Sequence, residues 1–196
     1  MKKIYIYSGN GAYQARDIEN CLNVFDIDYY RICEHGISNI AEKSVLIVPG
    51  GMITAYLLSW GEKGIQSIGD FVRNGGIYIG ICAGVYVAGK QYKNQTGLAF
   101  FDENLEYSKH KSIINAKDND GETLSLIAEN GPDLSVIKNC KVILRDDNNK
   151  PQAVKISFGE GQVYLFSSHP EGSVYYNEIP QEFSGAKWFV DFLKNI

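Results

Sequence analysis

Gly80-Ile81-Cys82-Ala83-Gly84 sets one cysteine between two glycines directly after an apolar run. This is the Gly-x-nucleophile-x-Gly spacing of a strand-to-helix elbow. Small residues at both ends let strand and helix approach closely while the middle residue takes a strained conformation. The helix N-terminus beyond it favours a thiolate. The same letters also fit a small buried cysteine flanked by glycines. A cysteine nucleophile needs a base, and the base needs an orienting group. "SSHPEG", Ser167 to Gly172, supplies both. In extended chain, positions i and i+2 point the same way, and Pro170 pushes His169 towards extended geometry, so His169 and Glu171 line up. Acyl transfer also needs donors for an oxyanion. The Ala83 N–H is one, and Gly50-Gly51 after a third apolar run offers a second, glycine having no side chain to obstruct it. Read alone, Gly50-Gly51 is equally an ordinary tight turn.

These residues need elements to hold them. Lys3–Ser8, Asp28–Cys33, Ser44–Gly51 and Ile77–Ile81 read as strands, the third and fourth as continuous apolar runs of the kind buried on both faces of a parallel sheet. Between them Ile18, Cys21, Leu22 and Phe25 mark one helix face, and Ile65, Ile68 and Val72 mark another that Gly75-Gly76 ends. Ala83 to Gly89 opens a further helix. The alternation predicts a doubly wound sheet with right-handed crossovers. From Gln95 to Gly161 turn signals crowd together at Asp120-Gly121, Asn130-Gly131-Pro132 and Asp146 to Asn149, which predicts hairpins and irregular connections on an edge of the sheet. Gln162–Ser168 returns to a strand, and Phe189, Phe192, Leu193 and Ile196 give a last amphipathic helix. Ligands of open α/β sheets bind beyond the carboxyl ends of the strands. Ser8–Gly11, Pro49–Met52, Cys82–Gly84 and Ser167–Gly172 are therefore the turns that matter.

With 196 residues the chain is expected to form a single domain, 1–196. A net charge of −4 and a pI near 5.4 give no reason to expect nucleic acid or an anionic membrane as partner. No leader or membrane-length apolar run is read, so a cytoplasmic location is expected. Cys21, Cys33, Cys82 and Cys140 form no C-x-x-C pair, and His35, His110 and His169 are scattered. Neither a disulfide framework nor a metal site nor any other cofactor is expected. "SGNGAY" lacks the G-x-G-x-x-G spacing and a following lysine. Gly9 and Asn10 are read there as a simple turn or a wall of the site. Cys21 falls on an apolar helix face and is read as core.

"YSGNGAY", "VLIVPGGM", "FVRNGGIYIGICAGVYVAG", "GLAFF" and "SSHPEG" together resemble the class I glutamine amidotransferase superfamily. The closer resemblance is to the amidotransferase-like domain found at the N-terminus of some biotin protein ligases and as stand-alone bacterial proteins. The resemblance implies a flavodoxin-like three-layer α/β sandwich. Its central, mostly parallel sheet would carry helices on both faces, with β-hairpin insertions in the second half. It also implies Cys82 as nucleophile, His169 as base, Glu171 as its orienting acid, and N–H groups of Gly51 and Ala83 for the oxyanion. Amidotransferases of this class carry a glutamine or similar polar residue four positions after the cysteine. Here that position is Tyr86, which counts against glutamine as substrate.

Two functions are carried forward. One is a cysteine-dependent amidohydrolase or amidotransferase-like enzyme acting on a small-molecule amide through a thioester, with a separate synthase or ligase protein as partner. The other is a non-catalytic ligand-binding or regulatory domain of the same fold. A redox-sensing relative would carry histidine directly after the cysteine, where Ala83 stands, and is ranked last.

Overall fold

The computed structural model describes residues 1–174 and 185–196. The chain runs β1 (Ile4–Tyr7), α1 (Ala15–Val24), β2 (Tyr30–Ile32), β3 (Val45–Val48), α2 (Ile53–Arg73), β4 (Ile77–Ile81) and α3 (Ala83–Ala88). It continues through β5 (Gln91–Tyr92), β6 (Gln95–Thr96), β7 (Lys111–Asp118), β8 (Thr123–Glu129), β9 (Lys141–Asp146), β10 (Pro151–Phe158), β11 (Gly161–Phe166) and α4 (Gly185–Asn195). Nine strands form one sheet in the order β2-β1-β3-β4-β11-β10-β9-β7-β8, while β5 and β6 form a separate small hairpin.

The first five strands of that order pair in parallel. Their arrangement is the flavodoxin-like doubly wound order. Their continuous apolar runs are explained by alternation across two covered faces. Val45, Ile47, Ile77 and Ile79 pack with Ile18 and Leu22 of α1 and Phe189 and Leu193 of α4. Leu46, Val48 and Tyr78 pack on the other face with Tyr56, Leu57, Trp60, Ile68 and Val72 of α2.

Helix α2 begins twelve residues before Ile65, the first apolar residue assigned to it from the sequence. Gly61 (φ 54°, ψ −172°) breaks it into two segments, and the first carries its own stripe, Ile53, Tyr56, Leu57 and Trp60 at i, i+3, i+4, i+7, which lies outside the helix expected from the sequence. Its end is as the glycine pair predicts. Gly75 takes φ 96°, its N–H donates to Val72 O, and the Gly76 N–H donates to Phe71 O, a Schellman termination.

The second half supplies the antiparallel pairs β11-β10, β10-β9, β9-β7 and β7-β8. Asp120-Gly121 and Asp146 to Asn149 turn the hairpins β7-β8 and β9-β10, which extend the main sheet, while Asn130-Gly131-Pro132 begins an irregular connection from β8 to β9. Register shifts between β9 and β10 at Pro151 to Val154 mark an irregularity of the kind that bends a strand pair. The sheet curls, so that its last strand, β8, returns to the end of β11: the His169 N–H donates to Ile127 O at 2.7 Å.

Candidate active site

Register brings the four inspected turns together. Val48 is level with Gly80, and Ile81 with Phe166, so β3, β4 and β11 end side by side. Cys82 follows β4 directly, and its N–H donates to Phe166 O at 3.0 Å, which ties the elbow to the strand that leads to His169.

Cys82 has φ 51° and ψ −103°, a conformation that costs a non-glycine residue about 1–3 kcal/mol. Its neighbours permit it. A side chain on Gly84 would run into the Val48 carbonyl, and one on Gly80 would meet Gly84 O at 2.5 Å. The turn is therefore an elbow held by close backbone contact, and Cys82 is 8% exposed at the floor of a small cavity.

His169 Nδ1 lies 2.9 Å from Glu171 Oε1, with His169 2% and Glu171 0% exposed. The other ring nitrogen, Nε2, lies 3.3 Å from the backbone oxygen of Glu129, and the Cys82 thiol donates to that same oxygen at 3.4 Å. Thiol and imidazole thus converge on one acceptor. Burial by itself would lower the His169 pKa. The Glu171 carboxylate, by charge and hydrogen bond, together with hydrogen bonding to Cys82, outweighs burial and holds it well above the usual histidine value. An acceptor at each ring nitrogen favours the doubly protonated ring.

Glu171 Oε2 is buried without a hydrogen-bond partner among the described residues, and its charge reaches neighbouring groups. Burial, aided by Glu171, pushes the Cys21 thiol up to about 12. Burial and the same carboxylate raise Asp17 on α1. Cys21 is thereby kept as an inert thiol in the core, as its helix face suggested.

The Gly50 carbonyl accepts from the Gln14 N–H at 3.1 Å and the Tyr56 hydroxyl at 3.2 Å. The Gly51 N–H lies trans across that peptide plane and so points the opposite way. Gly51 and Ala83 both line the Cys82 cavity, and neither N–H donates to another described backbone group. A side chain on Gly51 would overlap the Gly11 carbonyl, so that position demands glycine, whereas one on Gly50 would displace the end of the Gln14 side chain.

Tyr86 lines the cavity. Its hydroxyl donates to Asn130 O at 3.1 Å and accepts from the Ser108 N–H at 3.3 Å, so it pins two chain segments across the site. Burial pushes its pKa up to about 12. Gly9 and Asn10, read as a wall of the site, do not line the cavity. The Asn10 N–H instead points at the Glu34 carboxylate, 3.4 Å away, and Gly9 packs on Tyr7 and Glu34.

Three contributors escape a reading of the sequence: the Glu129 carbonyl, Gln14 and Tyr107. The only signal near the first is the turn Asn130-Gly131-Pro132. Asn130 has φ 57°, Gly131 abuts the Ser167 backbone, and the Ser167 hydroxyl donates to Pro132 O at 2.6 Å. The Cys82 cavity measures about 180 Å³, and a larger one of about 650 Å³ lies beyond Tyr107 between β7, β8 and the start of β10. Among the described residues no group of three metal-ligating side chains comes together.

Residues 2–108 match the family described as biotin-protein ligase, N terminal. The chain belongs to that family. A biotin–protein ligase of Schizosaccharomyces pombe is 34% identical over an alignment of 92 positions that covers 42% of this chain and 14% of that protein. The chain thus spans about a seventh of the length of the curated relative it matches. The structure of PurLQS from Thermotoga maritima aligns with a TM-score of 0.74 at 16% identity, covering 98% of this chain and 100% of that one. A crystal structure of a glutamine amidotransferase aligns with the same TM-score at 18% identity, covering 98% and 99%. At such identities the likeness is one of fold, and the fold of this family member is that of the glutamine amidotransferases. No helix among the described residues is long and apolar enough to cross a membrane.

Proposed function

We propose that the chain is a cysteine-dependent amidohydrolase or amidotransferase-like protein acting on a carboxamide. The observation that carries this reading is the convergence of a strained Cys82 and the buried His169–Glu171 pair on the single Glu129 carbonyl. Beside the doubly protonated His169, the Cys82 thiol gives its proton to solvent, and the sulfur attacks the carboxamide carbon as a thiolate. The Gly51 and Ala83 N–H groups receive the oxyanion. His169 gives a proton to the nitrogen, ammonia leaves, and a thioester remains. Water, deprotonated by His169, then releases the carboxylic acid and restores the thiol. Glu171 holds the ring with Nδ1 protonated throughout. The ammonia would pass to a separate synthase or ligase protein.

Incubation with an electrophilic glutamine analogue, read by mass spectrometry, tests the nucleophile, and ammonia release from a panel of primary amides tests turnover. Cys82 should be modified ahead of Cys21, Cys33 and Cys140. Cys82→Ala should release no ammonia, and Glu171→Gln should lower kcat by about 100-fold. Modification of Cys82 no faster than Cys140 would sink the reading.

One observation favours the alternative, a ligand-binding domain without turnover. The Tyr86 hydroxyl is committed to backbone groups of Asn130 and Ser108, which closes the side of the cavity where the superfamily carries a polar residue. That reading predicts ligand-induced stabilisation that persists in Cys82→Ala, with no ammonia from any amide.

A further inference from the structure

Gln14 stands where the cavity needs a polar side chain. Its backbone is anchored by the Gly50 carbonyl, and it occupies the N-cap of α1 without making a side-chain cap bond. A methyl group at Gly50 would overlap Gln14 Oε1 and touch His169 Cε1 at 3.0 Å, which puts the Gln14 carboxamide over Gly50 and beside the histidine ring. It lines the same cavity as Cys82, Gly51 and Ala83, and among the described residues its side chain has no hydrogen-bond partner. Glycine at position 50 is what makes room for it.

The charges of the cavity are one-sided. Among the described residues lining it only Glu129 is charged, and that carboxylate pairs with Lys111 at 3.2 Å. No lysine or arginine among those residues faces the space, so the one cation near a carboxylate at Cys82 would be the His169 ring, which already pairs with Glu171. A side-chain carboxamide, with one acceptor oxygen and an NH₂ donor, is complementary to a second carboxamide.

Resting on the reading of Cys82 as a reactive thiol, we infer that Gln14 is the substrate-binding residue that selects a primary carboxamide over a carboxylate at Cys82. It takes, in the same cavity, the recognising role that Tyr86, bound to backbone, cannot fill. Free glutamine would bring its α-carboxylate to a cavity with no lining cation. A carboxamide on a neutral body, small enough at its reacting end for about 180 Å³, is the ligand class this selects.

Iodoacetamide and iodoacetate test this directly, being alike in shape and differing in carboxamide against carboxylate. In each reaction the thiolate forms a bond to the CH₂ carbon and iodide leaves. Rates at Cys82 are measured by mass spectrometry and normalised to exposed Cys33 of the same chain, which removes the intrinsic difference between reagents. The wild-type protein should favour iodoacetamide at Cys82 by about tenfold more than at Cys33, the usual worth of one or two hydrogen bonds in discrimination. Gln14→Leu, of similar size, should reduce that preference to the Cys33 value. Gln14→Glu, which keeps an acceptor and adds a repelling charge, should preserve or enlarge it. An unchanged preference in Gln14→Leu overturns the role of Gln14 and leaves Cys82 reactive. A wild-type Cys82 that reacts with neither reagent faster than Cys33 overturns the reactive thiol and this inference with it.

Discussion

Strands β3, β4 and β11 run parallel, end level, and carry the glycine turn, the elbow and the histidine on their carboxyl ends. Strands β7 to β10 run antiparallel and reach the same site from outside, the end of β8 bringing in the Glu129 carbonyl and Asn130. All five residues of β4 are buried, whereas of the eight in β7 only Ala116 is. Covered on both faces, the parallel half can hold a strained backbone because its surroundings over-determine it. The antiparallel half has one face partly in water and supplies acceptors and a wall. The comparison teaches that thiol and base rest on the rigid half, which also supplies most of the cavity wall, while the half that curls back closes the space with Tyr107, Glu129 and Asn130.

Gly84→Val should break the rigid half outright. Its side chain would strike the Val48 carbonyl, a backbone atom that cannot turn aside. A loss of roughly 4 kcal/mol is expected, a fall in Tm of about 8–16 °C by thermal melting. A fall below about 3 °C would mean that the elbow is less tightly held than its contacts imply.

Ser167→Ala tests the seam between the halves. The hydroxyl donates to Pro132 O within a buried contact, and its removal leaves that carbonyl unpaired. The expected cost is about 2 kcal/mol by urea denaturation. Cys82 should then also become more accessible to thiol reagents, because the turn that follows Glu129 loosens. Lost stability without a change in accessibility would separate the seam from the site.

The smallest effect is a pH dependence confined to the buried pair. A histidine whose folded pKa is raised adds stability that is fully present below its unfolded value, about 6.5, and is lost as pH rises through the folded value. The urea midpoint of the wild type relative to His169→Gln should therefore be most favourable at acid pH and decline above neutrality. A difference that grows with pH would mean that burial prevails over Glu171 and that the ring is neutral.

Much of this is legible in the order of the residues. Continuous apolar runs announce β3 and β4, the glycine pair announces the end of α2, and i, i+2 spacing announces the His169–Glu171 contact. The first segment of α2 is legible as Ile53, Tyr56, Leu57 and Trp60 at i, i+3, i+4, i+7, but the break inside the helix at Gly61 is not legible there. Nor is the curl of β7 to β10, because turn residues mark hairpins without saying where their far edge docks.

The amino-acid sequence alone determined which chemical groups are available: one elbow thiol, one histidine with its carboxylate, and glycines where backbones must touch. These follow from local geometry, over spans of two to five residues. The tertiary structure alone decided that Glu129 offers its carbonyl to both Cys82 and His169, that Tyr86 is held by Asn130 and Ser108, and that Gln14 lies over Gly50. Those contacts join residues 22 to 47 positions apart. They depend on strand register and on the closing of the sheet, which no local pattern encodes.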